Sequence, residues 1–376
     1  MCCIIIQKKE EKENLKKEKK IKLFEPFVGN EEVEEASKVI RGKFWASGSG
    51  VGKVKEFENV FSKFVGCEDS VAVNSGTAAL HLALESLNVE KTEVLVPSIT
   101  FVSSAHAAVY NKAKPKFVDV DESTLCINIE DLERKISKKT SVIIPVHMGG
   151  FPCNLEKIQK LAKDYKIKVV EDAAHACGAT YQGKKIGSHS EMVCFSFHPV
   201  KNLAMPTGGL IALNSSIRKV NLLKSNRWCG ITNRKGASYD VDSLGWNFYM
   251  NEISAAIGLV QLKRVEKLNK RRVEIAKKYH NGLNIEMKIP FSKDCSYHLY
   301  WIRVKNRVRF MKKLAENGIE TGIHYKPVHM MSYYRDKTKL PISESIQTEI
   351  VSLPIHANLK DEQIERVIKT INSNIN

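Results

Sequence analysis

The chain has 376 residues, of which 43% are hydrophobic and 27% are charged. This length and composition exclude global disorder and favour a large domain with a smaller partner. The formal net charge of +17 favours anionic partners such as phosphate-bearing small molecules, but no helix-turn-helix, zinc-finger or RNA-binding signature is present, so no nucleic-acid role is expected.

The cysteine and hydropathy patterns favour a cytoplasmic protein. The nine cysteines lack any C-x-x-C spacing, so free thiols in a reducing compartment and no metal site are expected. No apolar stretch approaches the roughly 20 residues of a membrane span, and no membrane association is expected. Residues 1–22 are a basic Lys/Glu-rich tail, which we expect to be disordered.

Short apolar runs alternate with amphipathic segments over the first two thirds of the chain. This alternation predicts an α/β fold with a mostly parallel sheet that is flanked by helices on both faces. The predicted strands are residues 71–73, 93–97, 116–120, 141–146, 169–170 and 192–197, and the predicted helices include residues 30–40, 54–64, 129–136 and 155–165.

From about Ser216 the pattern becomes mainly helical. A long helix from Asn251 to beyond Val273 is predicted to join a large domain, residues 23–262, to a smaller C-terminal α+β domain, residues 263–376. The glycines of residues 48–52 follow a G-x-G-x-G spacing without a preceding strand. We interpret them as a flexible loop and not as a dinucleotide-binding fingerprint.

Two strands in the middle of the chain end beside residues that can carry chemistry. One ends at Asp172, and the next ends shortly before Lys201. Because ligands bind outside the carboxyl ends of parallel strands, both side chains are expected at one binding edge. They could form an ion pair there. They could also serve pyridoxal phosphate (PLP), which needs a lysine for a Schiff base and an aspartate to keep its pyridine nitrogen protonated.

Two earlier strand ends also have alternative interpretations. Residues Ser75, Gly76 and Thr77 precede an alanine- and leucine-rich helix, so they form either an anion site or a plain helix cap. Phe101 follows the strand at residues 93–97. A phenylalanine at that position either packs in the core or stacks on a flat cofactor ring.

Seven motifs in sequence order resemble the DegT/DnrJ family of sugar aminotransferases, which are fold-type-I PLP enzymes. The resemblance extends over residues 24–367. The motifs are NSGTAALHLAL (74–84), VPSITFVSSAHA (96–107), VEDAAHACGATYQGKKIGS (170–188), CFSFHPVKN (194–202), GWNFYMNEISAAIGLVQL (245–262), HYKPVH (324–329) and LPIHANLKDEQIERV (353–367).

The resemblance assigns catalytic roles to three residues. It implies that Lys201 forms the Schiff base with PLP and then moves a proton as its free amine. It implies that Asp172 pairs with the protonated pyridine nitrogen, and that His175 lies against the face of the cofactor ring.

The resemblance also assigns positions that bind the cofactor. Gly76, Thr77 and Ser196 match the phosphate-binding residues, and Phe101 matches an aromatic residue that stacks on the ring. Asn247 matches an asparagine that reaches the phosphate in the neighbouring subunit. This match implies a homodimer with shared active sites.

The implied reaction is transfer of the amino group of L-glutamate onto a nucleotide-linked keto-sugar, 4-keto favoured over 3-keto, for amino-sugar or surface-glycan biosynthesis. A sugar dehydratase of the same family is an alternative, but those relatives carry a histidine at the position of Lys201. A non-catalytic sugar-binding or regulatory protein is a second alternative. The chain departs from the family pattern at Pro206-Thr207, where an acidic residue is usual, and at Tyr249, where an arginine is common.

Overall fold

The computed structural model describes residues 20–335 and 337–375. Most of the tail predicted over residues 1–22 lies outside these residues. Near its end, Ile21 is buried and forms a parallel bridge with Ile319. Over the described ranges, no helix combines the length and the apolar character needed to cross a membrane.

A seven-stranded sheet occupies residues 69–213, as the alternating pattern predicts. Its order is β1-β9-β8-β5-β4-β2-β3, and β9 is antiparallel to both neighbours while the other pairs are parallel. The strands are β1 (Asp69–Val73), β2 (Glu93–Pro97), β3 (Lys114–Val118), β4 (Thr140–Ile143), β5 (Lys168–Asp172), β6 (Thr180–Tyr181), β7 (Lys184–Lys185), β8 (Met192–Ser196), β9 (Gly209–Leu213), β10 (Ile231–Lys235), β11 (Ser238–Val241), β12 (Tyr300–Arg303) and β13 (Ile350–Leu353).

Helices cover both faces of the sheet, and side chains alternate between the two faces along each strand. Leu95 packs in one buried cluster, while Val94 and Val96 pack in the other. The α-helices are α1 (Asn30–Gly42), α2 (Lys53–Val65), α3 (Gly76–Glu85), α4 (Ser103–Tyr110), α5 (Ile129–Lys135), α6 (Leu155–Tyr165), α7 (Ile217–Asn226), α8 (Glu252–Gly282), α9 (Arg307–Glu316), α10 (Pro341–Ile346) and α11 (Asp361–Asn372).

The predicted strands and helices are confirmed with shifts of a few residues at their ends. Helix α1 has Gly29 at its N-cap and ends at Gly42, two residues beyond its predicted end. Several elements were not predicted, among them helix α4, strand β9, and the exposed hairpin of β10 and β11, which lies in a region expected to be mainly helical.

Helix α8 begins where the sequence predicts it. The side chain of Asn251 caps it by accepting a hydrogen bond of 2.8 Å from the N–H of Ser254. The predicted domain boundary at residues 262–263 lies inside this helix. One buried cluster includes Phe57 of α2 and Trp301 of β12, so the core continues past that boundary. The division into two domains stays a prediction.

The glycine-rich segment at residues 48–52 packs against the protein and is not a free loop. A Cβ on Gly48 would lie 2.0 Å from the ring of Trp228, and one on Gly50 would lie 1.8 Å from the guanidinium of Arg227. Gly50 also has a φ of +63°, a conformation that favours glycine. The glycines therefore allow this segment to approach Arg227 and Trp228 closely.

Candidate active site

A cavity of about 390 Å³ opens at the carboxyl ends of β5 and β8. Parallel strands end at the same edge of the sheet, so their following residues converge there. Seven of the eight predicted site residues line this cavity: Gly76, Thr77, Phe101, Asp172, His175, Ser196 and Lys201. The eighth, Asn247, does not line it.

The carboxylate of Asp172 is fixed by two hydrogen bonds at the end of β5. Its Oδ2 accepts from the hydroxyl of Ser104 at 2.7 Å, and its Oδ1 accepts from the N–H of Ala174 at 3.1 Å. Asp172 is only 5% exposed. A buried carboxylate held in this way presents a fixed negative charge to the cavity.

Lys201 enters the same cavity from the turn after β8. Its Nζ lies 3.4 Å from Nε2 of His298. A direct ion pair between Lys201 and Asp172 is not formed in residues 20–335 and 337–375, so the ion-pair interpretation is not confirmed, although the two charges still interact. Burial lowers the pKa of Lys201 to about 8, against the opposing effect of the Asp172 charge.

This lowered pKa gives a testable pH dependence. Only the neutral amine is nucleophilic, so we expect labelling of Lys201 by an amine-directed acylating reagent to rise with pH through a midpoint of about 8. A lysine with the ordinary pKa of about 10.4 would still be almost fully protonated there. Mass spectrometry of the labelled peptide measures the midpoint, and a midpoint near the ordinary value would contradict the prediction.

The start of α3 faces the cavity beside the end of β8. Ser75 caps the helix, because its hydroxyl accepts from the N–H of Ala78 at 3.1 Å. A Cβ on Gly76 would lie 2.7 Å from Cβ of Ser196, so only glycine allows this close approach. The free N–H groups of a first helical turn, together with the hydroxyls of Thr77 and Ser196, suit a phosphate dianion.

His175 lies in the cavity wall with both ring nitrogens engaged. Its Nδ1 accepts from the N–H of Gly149 at 3.3 Å, and its Nε2 lies 3.3 Å from the hydroxyl of Tyr325. Burial and the charge of Lys201 hold the pKa of His175 well below its ordinary value, so the ring is neutral. A neutral ring whose Nδ1 accepts carries its proton on Nε2.

Phe101 is 55% exposed, with its ring centroid 6.1 Å from that of Tyr325. This exposure excludes the core-packing interpretation of Phe101. The side chain instead offers an aromatic surface to the cavity, as a residue that stacks on a cofactor ring would.

Asn247 is exposed, and the structure does not bring it to the cavity of its own chain. Its backbone bridges Trp228, and its carbonyl accepts from the side chain of Asn74 at 3.4 Å. This position leaves open the predicted role of Asn247 in a neighbouring subunit.

Comparison with known proteins identifies the family and the fold. Residues 26–372 match the model of the DegT/DnrJ/EryC1/StrS aminotransferase family. The chain belongs to that family. It is 33% identical to the spore coat polysaccharide biosynthesis protein SpsC of Bacillus subtilis over 371 residues, which cover 92% of this chain and 95% of SpsC.

Solved structures of sugar aminotransferases have the same fold. The PLP form of the putative sugar aminotransferase Spr1654 of Streptococcus pneumoniae has a TM-score of 0.89 and 28% identity, covering 94% of this chain and 98% of that one. The Helicobacter pylori aminotransferase PseC, involved in the biosynthesis of pseudoaminic acid, has a TM-score of 0.89 and 27% identity, covering 95% and 99%. The predicted family and fold class are confirmed.

Several residues of this DegT/DnrJ/EryC1/StrS family member that line the cavity, or that contact Asp172 or Lys201, were not predicted as site residues. His324 and Tyr325 belong to the motif HYKPVH, which was noted but given no role. Ser104 was part of a noted motif as well. His298 lay outside every motif, and no local pattern distinguishes it, because it reaches Lys201 from a distant part of the chain.

The two departures from the family pattern have structural positions. The hydroxyl of Thr207 donates to the carbonyl of Asn74 at the end of β1, where an acidic side chain is usual in the family. Tyr249 forms an antiparallel bridge with Val73. Both departures therefore lie beside the segment that leads into Gly76.

Proposed function

We propose that this protein is a PLP-dependent aminotransferase that moves the amino group of L-glutamate onto a nucleotide-linked keto-sugar, 4-keto favoured over 3-keto. Its family makes it an aminotransferase. The observation that carries the proposal is the convergence of Lys201, Asp172 and the start of α3 on one cavity. Spr1654 has been solved in PLP and PMP forms, which supports PLP as the cofactor.

The residues of the cavity fit PLP. Gly76 lies so close to Ser196 that a Cβ would close the space, and the adjacent N–H and hydroxyl groups suit the phosphate. Phe101 and His175 offer ring surfaces for the two faces of a flat cofactor. Asp172 would hold a proton on the pyridine nitrogen, and Lys201 would bind the cofactor covalently.

When bound, PLP withdraws electrons from the carbon next to the substrate nitrogen and so makes its C–H bond acidic. The protein supplies the proton transfer. Lys201, once free, has a pKa of about 8, so about a tenth of it is neutral at pH 7 and can remove and return this proton. The charge of Asp172 would keep the pyridine nitrogen protonated while the cofactor is bound.

The names of two relatives favour a role in amino-sugar or surface-glycan biosynthesis. SpsC is a spore coat polysaccharide biosynthesis protein, and PseC takes part in the biosynthesis of pseudoaminic acid. The seven cysteines in the described residues are free thiols, which supports the cytoplasmic location expected from the sequence.

The experiment that tests the reaction is incubation of the protein with PLP, L-glutamate and a panel of 4-keto and 3-keto nucleotide sugars. We expect an aminated sugar and an equal amount of 2-oxoglutarate, detected by mass spectrometry. A product that has lost a hydroxyl and gained no nitrogen would favour the dehydratase alternative. Absence of any product with every sugar would favour the non-catalytic alternative.

The proposed homodimer makes a separate prediction. If Asn247 completes the site of the neighbouring subunit, then Asn247→Ala and Lys201→Ala proteins are each inactive as homodimers, yet they restore activity when refolded together. A mixed dimer contains one complete site, so random mixing should recover about a quarter of the wild-type activity. No recovery in verified mixed dimers would contradict the shared site.

A further inference from the structure

His298 is the hydrogen-bond partner of Lys201. Its Nε2 lies 3.4 Å from Nζ, and no other side-chain hydrogen bond of Lys201 exists in the described ranges. His298 is 1% exposed and lies just before β12, far from Lys201 in sequence. A contact over such a sequence separation depends on the packing of the whole fold.

The surroundings of His298 fix its ring. Phe24 stacks on it with ring centroids 5.5 Å apart and an angle of 16°, and the ring of His175 lies 4.5 Å away. The backbone next to His298 also contacts the segment that carries Lys201. Asn202, which follows Lys201, donates from its side chain to the carbonyl of Ser296 at 2.7 Å. These contacts hold the imidazole of His298 at a fixed position relative to Lys201.

The protonation state of His298 follows from its environment. Burial, followed by the charge of Lys201, holds the pKa of His298 well below its ordinary value, so the ring is neutral. An ammonium group can only donate, which makes Nε2 the acceptor and places the ring proton on Nδ1. In the described part of the chain, Nδ1 has no hydrogen-bond partner.

We propose that His298 is a positioning residue for Lys201, whose free ε-amine it holds by accepting a hydrogen bond at Nε2. An amine that donates one N–H to His298 keeps its lone pair directed away from that ring. The fixed direction serves proton transfer whenever Lys201 is detached from the cofactor. This consequence rests on the role of Lys201 in the proposed function.

Loss of the acceptor should have two opposite effects on Lys201. The lone pair on Nε2 of His298 stabilises the ammonium form of Lys201 more than the neutral amine. Removal of this acceptor should therefore lower the pKa of Lys201. The amine of Lys201 is then neutral in a larger fraction of molecules. Because its lone pair is no longer held in a fixed direction, proton transfer slows. General damage to the fold would not produce this combination. The titratable groups that face Lys201 are Asp172, His175, His198, His298 and His324.

The test compares the wild-type full-length chain with three variants at His298. Gln places an acceptor oxygen near the position that Nε2 of His298 occupies. Asn is too short for its oxygen to reach Nζ of Lys201, and Phe keeps an aromatic ring but has no acceptor. Two readouts are measured: the pH midpoint for acylation of Lys201 without PLP, and the rate at which L-glutamate bleaches the PLP absorption band. Circular dichroism checks the folding of each variant. If His298→Phe does not fold, the comparison of His298→Asn with wild type decides the test.

We expect His298→Asn and His298→Phe to lower the labelling midpoint and to slow bleaching about tenfold or more, while His298→Gln stays near wild type. An unchanged midpoint in Asn and Phe would overturn the proposal, and so would a Gln variant as impaired as Asn. If the wild-type chain forms no PLP band, the proposed function fails, but the labelling comparison still decides whether His298 holds the amine.

Discussion

Replacing Asp172 with Asn is expected to lower the rate of the glutamate half-reaction about 10³-fold, equivalent to about 4 kcal/mol of lost transition-state stabilisation. Asn keeps the shape of the side chain, its single oxygen can still accept from the N–H of Ala174, and its NH2 group can donate to the hydroxyl of Ser104, so the fold should survive. It lacks the charge that keeps the pyridine nitrogen protonated. Single-turnover loss of the PLP absorption band measures the rate.

Ser104→Ala is the matched control for this variant. It removes one hydrogen bond of 2.7 Å to the carboxylate but keeps the negative charge of Asp172. We expect a loss of about tenfold, equivalent to about 1.4 kcal/mol and close to the lower end of the free energy of one charge-assisted hydrogen bond. Equal losses in the two variants would show that position matters more than charge, against the role given to Asp172.

Replacing Glu58 with Ala is expected to lower the free energy of unfolding by about 3–5 kcal/mol, because it leaves a buried arginine without its counter-charge. Glu58 and Arg227 form an ion pair in which each side chain is 1% exposed. Both also bind the backbone of Ala72 in β1, at 2.9 Å each. The pair therefore joins α2, β1 and the residue after α7.

Denaturant unfolding of Glu58→Ala measures this loss, and Glu56→Ala is the control. Glu56 pairs with Lys53 at 2.9 Å, but these side chains are 52% and 37% exposed. An exposed pair contributes about 1 kcal/mol or less, so the control should unfold almost like wild type. A Glu58→Ala protein as stable as the control would contradict the importance of the buried pair.

Much of the fold is predictable because its buried strands are short β-branched runs between helices with clear apolar faces. Helix α6 is found at its predicted residues, Leu155–Tyr165. Neither strand β9 nor its antiparallel direction was predicted from the sequence. The connection from β8 to β9 contains no helix to cross the sheet, so the chain returns antiparallel. The hairpin of β10 and β11 is largely polar and exposed, so its sequence lacks the apolar pattern that predicts a strand.

The site is predictable in part for a related reason. Asp172 ends an apolar run and Lys201 follows another within a few residues, so their positions near strand ends follow from the local pattern. His298 does not, because its contact with Lys201 requires the C-terminal region to fold back onto the sheet. The exposure of Phe101 also depends on tertiary packing, and the sequence alone left two interpretations open.

In the proposed reaction, Lys201 binds PLP and the loaded protein accepts an amino group from L-glutamate. The most direct measurement is the visible absorption spectrum of the purified protein with PLP, before and after addition of L-glutamate. We predict an absorption band that glutamate bleaches and that Lys201→Ala protein does not form, whereas Lys185→Ala forms it normally. A band that persists in Lys201→Ala, or the absence of any band in the wild-type protein, would contradict this account.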